Sequence, residues 1–184
     1  MKISVGLNSK SIQSAIKKLE KAKQQLQDEM INKFYKNCYE FFVDRANYYV
    51  QIHDIGYVVK EDIKSSWQFE TIPNGVRFVN NAEKAVFVEF GVGIAGENSH
   101  PNAQETGYEY NVPSDYKRDD NSWEFVSSEE YLDIPLKDTI TNGVGDRFYM
   151  TYGTQGALYA FNALEDLRIE MPKIWQQIKI KYWG

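Results

Sequence analysis

From Asn8 to Ile55 the chain contains neither glycine nor proline. Along that stretch the apolar residues Ile12, Ile16, Leu19, Ala22, Leu26, Met30, Phe34, Cys38, Phe42, Ala46, Tyr49 and Ile52 recur at a mean spacing of about 3.6, the straight α-helical period rather than that of a supercoil. The pattern predicts one helix over 8–55, capped by Asn8 or Ser9 and stopped at Gly56. Such a helix is roughly 65 Å long at a rise of about 1.5 Å per residue. A single domain of this chain's mass is narrower than that, so the helix must bend or project to meet another surface. Its second half is rich in aromatics. Tyr35, Tyr39 and Tyr48 lie off the apolar stripe and are candidates to cover a sheet or another protein.

Beyond the helix the period changes. Trp67, Phe69 and Thr71 alternate with Gln68 and Glu70, Pro73-Asn74-Gly75 makes a turn, and Val76–Asn80 returns, which predicts a β-hairpin. Ala85–Phe90 reads as a third, buried strand, so that 66–91 forms a small antiparallel sheet. Residues 96–146 are broken by turn formers and read as an elaborated, partly mobile insertion that orders on assembly. In it Tyr108, Tyr110 and Val112 pair with Trp123 and Phe125 as the two arms of one hairpin. Helical spacing resumes over 156–178, with Pro172 kinking or restarting the helix. The tail Ile178–Tyr182 fits either a helix end or a terminal strand. The expected fold is α+β in one domain: a long N-terminal and a shorter C-terminal helix packed on a small antiparallel sheet, with an extended arm.

Composition narrows the chemistry. One cysteine, Cys38, excludes an internal disulfide, and His53 and His100 are too few for a zinc site of the usual kind. The start turns polar at Asn8, so no secretory leader is expected, and no run approaches a membrane span. The net charge of −5 is uneven: residues 1–60 hold ten Lys/Arg against six Asp/Glu, and residues 61–150 hold seven against seventeen. An acidic middle disfavours a continuous phosphate-gripping surface.

Gly91-Val92-Gly93-Ile94-Ala95-Gly96 spells G-x-G-x-x-G after a predicted strand, but Pro101 forbids the helix that would present its amides to a pyrophosphate. A flexible strand exit accounts for these glycines. Asp119/Asp120 and Glu129/Glu130 lack calcium-loop spacing and, as neighbours, diverge. His100 has no nucleophile nearby in sequence. No catalytic, cofactor-binding or metal-binding set is therefore assigned. The aromatic content of 15% favours a protein interface over a glycan platform, and Tyr35, Tyr39, Tyr48, Tyr108, Tyr110, Trp123 and Phe125 are its candidate residues.

The order of features resembles the tail-completion, or head–tail joining, family of long-tailed bacteriophages, also described as minor capsid or tail components. Ser65 and Ser66 match the end of its first motif, without the preceding Thr-Gly. Val88-Glu89-Phe90-Gly91 matches its strand motif, with Val92 in place of threonine. Gly156-Ala157-Leu158-Tyr159-Ala160-Phe161 matches its final helix entry, without the proline. Gly107–Tyr110 and Ser122–Phe125 are similar to the aromatic arm of some members. The resemblance implies a structural virion protein with no enzymatic activity, cofactor or small-molecule substrate. It implies a homo-oligomeric ring in the neck, joined to neighbouring neck and tail proteins, with DNA only as a passing strand and no membrane. It also implies location in the virion, and in the host cytoplasm during assembly. A tail terminator, a glycan- or cell-surface-binding module and a nucleotide-binding enzyme using Gly91–Gly96 are the alternatives. The acidic insertion would face either the channel or the outside.

Overall fold

The structure is a computed structural model that describes residues 9–53, 57–73, 75–97, 99–109, 123–126, 138–141, 147–151 and 154–183. The fold is α+β, with a long N-terminal helix, a C-terminal helix and small antiparallel sheets. The elements in order are α1 (Ser9–Ile52), α2 (Tyr57–Ser65), β1 (Trp67–Ile72), β2 (Gly75–Asn80), α3 (Ala85–Phe90), β3 (Gly91–Val92), α4 (Gly93–Gly96), α5 (Ala103–Thr106), β4 (Trp123–Val126), β5 (Asp138–Thr141), β6 (Arg147–Thr151), β7 (Thr154–Gln155) and α6 (Tyr159–Trp183). The strands form three antiparallel sheets, ordered β1-β2, β3-β7 and β4-β6-β5.

The chain divides into two compact units: Met1–Glu40 with Ile169–Gly184, and Phe41–Arg168. In the first, the early part of α1 meets the late part of α6. Met30, Cys38, Ile174 and Ile178 are buried, and Trp175 meets Phe34 edge-on at 5.4 Å. Burial of Cys38 removes water from the thiolate and pushes the thiol up to about 11. Native protein at pH 8 should therefore react with an aromatic disulfide reagent far more slowly than urea-unfolded protein, on the order of 100-fold. Equal rates would place Cys38 at the surface.

In the second unit the hairpin meets α1 through Trp67 and Phe78, while the rest of β1, Phe69 included, is exposed. Phe42 is buried, with Trp67 edge-on at 5.1 Å and Phe78 at 5.0 Å, and Trp67 reaches Tyr159 of α6 at 6.0 Å. The register runs from Trp67↔Asn80 to Ile72↔Gly75. Trp67 is half-buried and donates its indole N–H to Asn47 Oδ1 (3.2 Å), which leaves no orphaned donor. Helix α2 supplies Ile63, fully buried, and its end is held by Asn80, which donates to the Ile63 carbonyl at 2.8 Å.

Two expectations change, and one left open is settled. Ala85–Phe90 is a helix, not a strand. Its β-branched and aromatic residues favour extended chain, but Ala85 and Glu89, four apart, are the buried pair, while Val86 and Phe87 are half exposed. β4 pairs with β6 (Trp123↔Thr151 to Val126↔Phe148) and forms one edge of the β4-β6-β5 sheet. Of the arm expected to join it, Tyr108 is tied to Gly91, and Tyr110 and Val112 lie outside the described residues. The apolar stripe of α1 holds from Met30 to Ala46, but Ile16 and Leu19 are exposed at 49% and 56%, and Val50 rather than Tyr49 is fully buried. Residues 178–182 are helical, and α6 continues through Pro172 with one backbone donor missing. Of the 96–146 insertion, 98, 110–122, 127–137 and 142–146 lie outside the described residues.

Candidate functional site

A lone glutamate in the apolar run Ala85-Val-Phe-Val-Glu-Phe90 needs donors if it is to be buried. Glu89 is 7% exposed, and its carboxylate sits at the start of α6. Its Oε2 accepts the Ala160 N–H at 2.8 Å, and its Oε1 accepts the Phe161 N–H at 2.9 Å. These are first-turn amides that the helix itself cannot satisfy, and the negative charge complements the helix dipole. The third donor is His100, 6% exposed, whose Nε2 lies 3.0 Å from Oε1. His100 Nδ1 accepts the Asn102 N–H at 3.1 Å, which fixes a neutral ring with its hydrogen on Nε2. Phe90 lies over the imidazole (4.1 Å between centroids), and Phe161 meets it edge-on at 5.5 Å.

Backbone bonds reinforce the clasp. Ala157 donates to the Val88 carbonyl (2.7 Å) and Leu158 to the Glu89 carbonyl (3.2 Å). Ser99 joins the two chain segments, donating its hydroxyl to the Phe90 carbonyl (2.9 Å) and accepting the Gly156 N–H (3.0 Å). β3 and β7 pair beside it, Gly91↔Gln155 and Val92↔Thr154. Leu158 takes a left-handed φ of 50° to turn the chain into α6, a strain on the order of 1 kcal/mol for a branched residue. Tyr159 is buried and donates its phenol to the Ala85 carbonyl at 3.2 Å. Burial first, then the Glu89 charge, hold that phenol well above its ordinary range.

The family-motif positions thus fall into two groups. Val88, Glu89, Gly91, Gly156 and Phe161 come together in the clasp. Ser65 and Ser66 do not: they end α2, where their hydroxyls turn back to the carbonyl and carboxylate of Asp62 (3.1 and 3.5 Å). His100 and Ser99, two of the clasp's anchors, carried no signal in the sequence. The usable clue was Glu89, a charge among apolar neighbours that required a buried partner elsewhere. Gly91 and Gly93 adopt left-handed φ values of 85° and 64°, and Gly93–Gly96 makes a four-residue helical turn, too short to present a phosphate-binding N-terminus. Among the described residues no three His, Cys, Asp or Glu side chains could hold a metal ion, and no helix is long and apolar enough to cross a membrane.

The candidate interface aromatics are dispersed. Tyr35 is half-buried against Phe34 (5.9 Å), and Tyr39 is half-buried, its phenol raised by burial. Tyr48 is half exposed and lies under the Arg45 guanidinium at 4.9 Å. Tyr108 donates to the Gly91 carbonyl (2.7 Å) and stacks on Phe90 at 4.6 Å, which makes it part of the clasp. Trp123 and Phe125 belong to β4, and Tyr110 lies outside the described residues.

A second polar cluster joins α1 to α6 in the larger unit. Arg45 Nε donates to Asp166 Oδ2 at 2.6 Å, and the Tyr49 phenol donates to the same oxygen at 2.9 Å. The Arg45 hydrogen bond, with that from Tyr49, holds the Asp166 carboxyl below the usual carboxylate range against the opposing effect of burial. A depressed carboxyl adds stability above its unfolded value of about 3.9 and loses it as pH falls through the lower folded value. Asp166→Asn should therefore cost roughly 1 kcal/mol at pH 7, the screened value for a pair about a third exposed, and progressively less as pH falls through the lower folded value. Urea titrations at pH 7 and at acid pH test this. A penalty that is the same at both would assign the effect to shape rather than charge.

No family model, curated protein or solved structure matches this chain.

Proposed function

We propose that the protein is a structural subunit of a tailed-phage virion that forms a homo-oligomeric ring in the neck and joins the DNA-filled head to the tail. It carries out no reaction of its own. Its partners are further copies and the adjoining neck and tail proteins, and DNA meets it only in passage. It is made in the host cytoplasm and resides in the particle.

One observation carries this reading. The two best-matched segments of the family resemblance, Val88–Gly91 and Gly156–Phe161, lie more than sixty residues apart yet close on each other in one clasp. The groups there with catalytic potential, Glu89 and His100, hold a helix start and a loop, so positional work accounts for both. Apolar residues left exposed on α1, α3 and α6, such as Leu19, Phe87 and Trp183, suit a subunit that is completed by assembly. Labelling of purified particles with an antibody to this chain tests the location. Label at the head–tail junction is expected, and label on fibres or baseplate, or particles lacking the chain, would contradict it.

A further inference from the structure

The early part of α1 presents an array of charge that the fold does not use. From Gln13 to Gln27 the chain holds four lysines and one acid, Glu20. Lys17 and Lys21 stand four residues apart, and Lys18 and Lys21 three, so the three share one face of the helix. That face is exposed, and an open hollow of ≈ 460 Å³ on it has Gln13, Ser14, Lys17, Lys18 and Lys21 as its described lining. None of the three lysines forms an ion pair among the described residues. By contrast Lys36, Lys64, Arg77, Arg168 and Lys173 each meet a carboxylate. Like charges three and four residues apart weaken a helix, and no contact among the described residues offsets that cost here.

We propose that this face is a sequence-independent contact for the phosphate backbone of duplex DNA. The proposal goes beyond the ring and does not depend on it. Lysine, glutamine and serine are among the side chains that reach phosphate oxygens, and the five residues lining the hollow are all of these types. Arginine, whose fork reads guanine edges, is absent from α1 before Arg45. The face can therefore hold a backbone without choosing a sequence. A lipid surface fits less well. Ile16 and Leu19 emerge on the opposite side of the helix, so a bilayer that took them up would leave the lysines turned away. Three lysines engage about three phosphates, which makes the contact weak and its salt dependence shallow.

Fluorescence anisotropy of two labelled DNA duplexes of unrelated sequence, titrated with the full chain, tests this. Both should bind equally, with a Kd on the order of 10 μM at low salt. Affinity should fall about 40-fold between about 50 and 200 mM salt, the log–log slope of about −2.7 that three contacts give. Lys17→Gln/Lys18→Gln/Lys21→Gln keeps good helix formers, with native helicity checked by circular dichroism. It should bind at least about 10-fold more weakly and with a flatter salt dependence. Lys17→Arg/Lys18→Arg/Lys21→Arg keeps the charge and should bind like wild type. So should Lys36→Gln/Arg168→Gln/Lys173→Gln, which removes three cations already paired with carboxylates. A wild type that does not bind at low salt, a Lys17/Lys18/Lys21 glutamine variant that binds like wild type, or equal losses in the two glutamine variants overturns the DNA contact. Tighter binding to phosphatidylglycerol–phosphatidylcholine vesicles than to DNA, through the same three lysines, overturns it too and assigns the face to lipid. None of these results bears on the ring, which the particle labelling tests.

Discussion

Glu89→Ala should lower the stability of the protein by about 4 kcal/mol, the largest effect expected of any single substitution here. The carboxylate receives two helix-start amides and the His100 ring, all within 3.0 Å and shielded from water. Removing it leaves three buried donors without a partner, each costing about 1–3 kcal/mol, less what water entering the vacated space restores. At roughly 2–4 °C per kcal/mol for a chain of this size, the midpoint should fall by about 10 °C. Glu89→Gln keeps one acceptor but turns an NH₂ group toward donors, so about half that loss is expected. Thermal and urea unfolding measure both, and amide exchange should show Ala160 and Phe161 losing protection first. A loss under about 1 kcal/mol for the alanine variant would mean that the clasp does not hold α6.

Gly156→Val should be nearly as damaging, for a steric reason. A Cβ at Gly156 would collide with the Glu89 carbonyl oxygen and would lie 2.7 Å from the Phe90 carbonyl carbon and 2.9 Å from its oxygen. These are backbone atoms, fixed by the Ala157 and Leu158 hydrogen bonds, so they cannot swing aside as a side chain would. The segment would have to separate from α3, breaking those bonds and the one to Ser99, at about 3 kcal/mol. Gly156→Ala meets the same atoms with its single carbon and should retain most of the defect. Full stability in Gly156→Ala would show that the two segments can part at little cost.

Much of this architecture is written in local pattern. The long helix follows from an apolar period and the absence of breakers, and the β1–β2 hairpin follows from alternation around Pro73-Asn74. Long-range facts were not legible. The apolar stripe predicts a buried Ile16 and Leu19, but how far α6 reaches along α1 depends on the pairing of Phe34 with Trp175, which no local pattern encodes. Ala85–Phe90 reads as a strand because valine and phenylalanine favour extended chain. Its helical form is instead fixed by a buried carboxylate that must meet amides seventy residues away. His100 looked idle because its partner, Glu89, stands eleven residues earlier on another element. α2 went unread because nine residues give only one strongly buried position, Ile63.

The most direct measurement of the proposed role is electron microscopy of lysates from a phage in which this gene is disrupted. The account predicts DNA-filled heads and finished tails lying apart, with intact particles restored by the wild-type chain supplied in trans. Complete, infectious particles in the absence of the chain would contradict it.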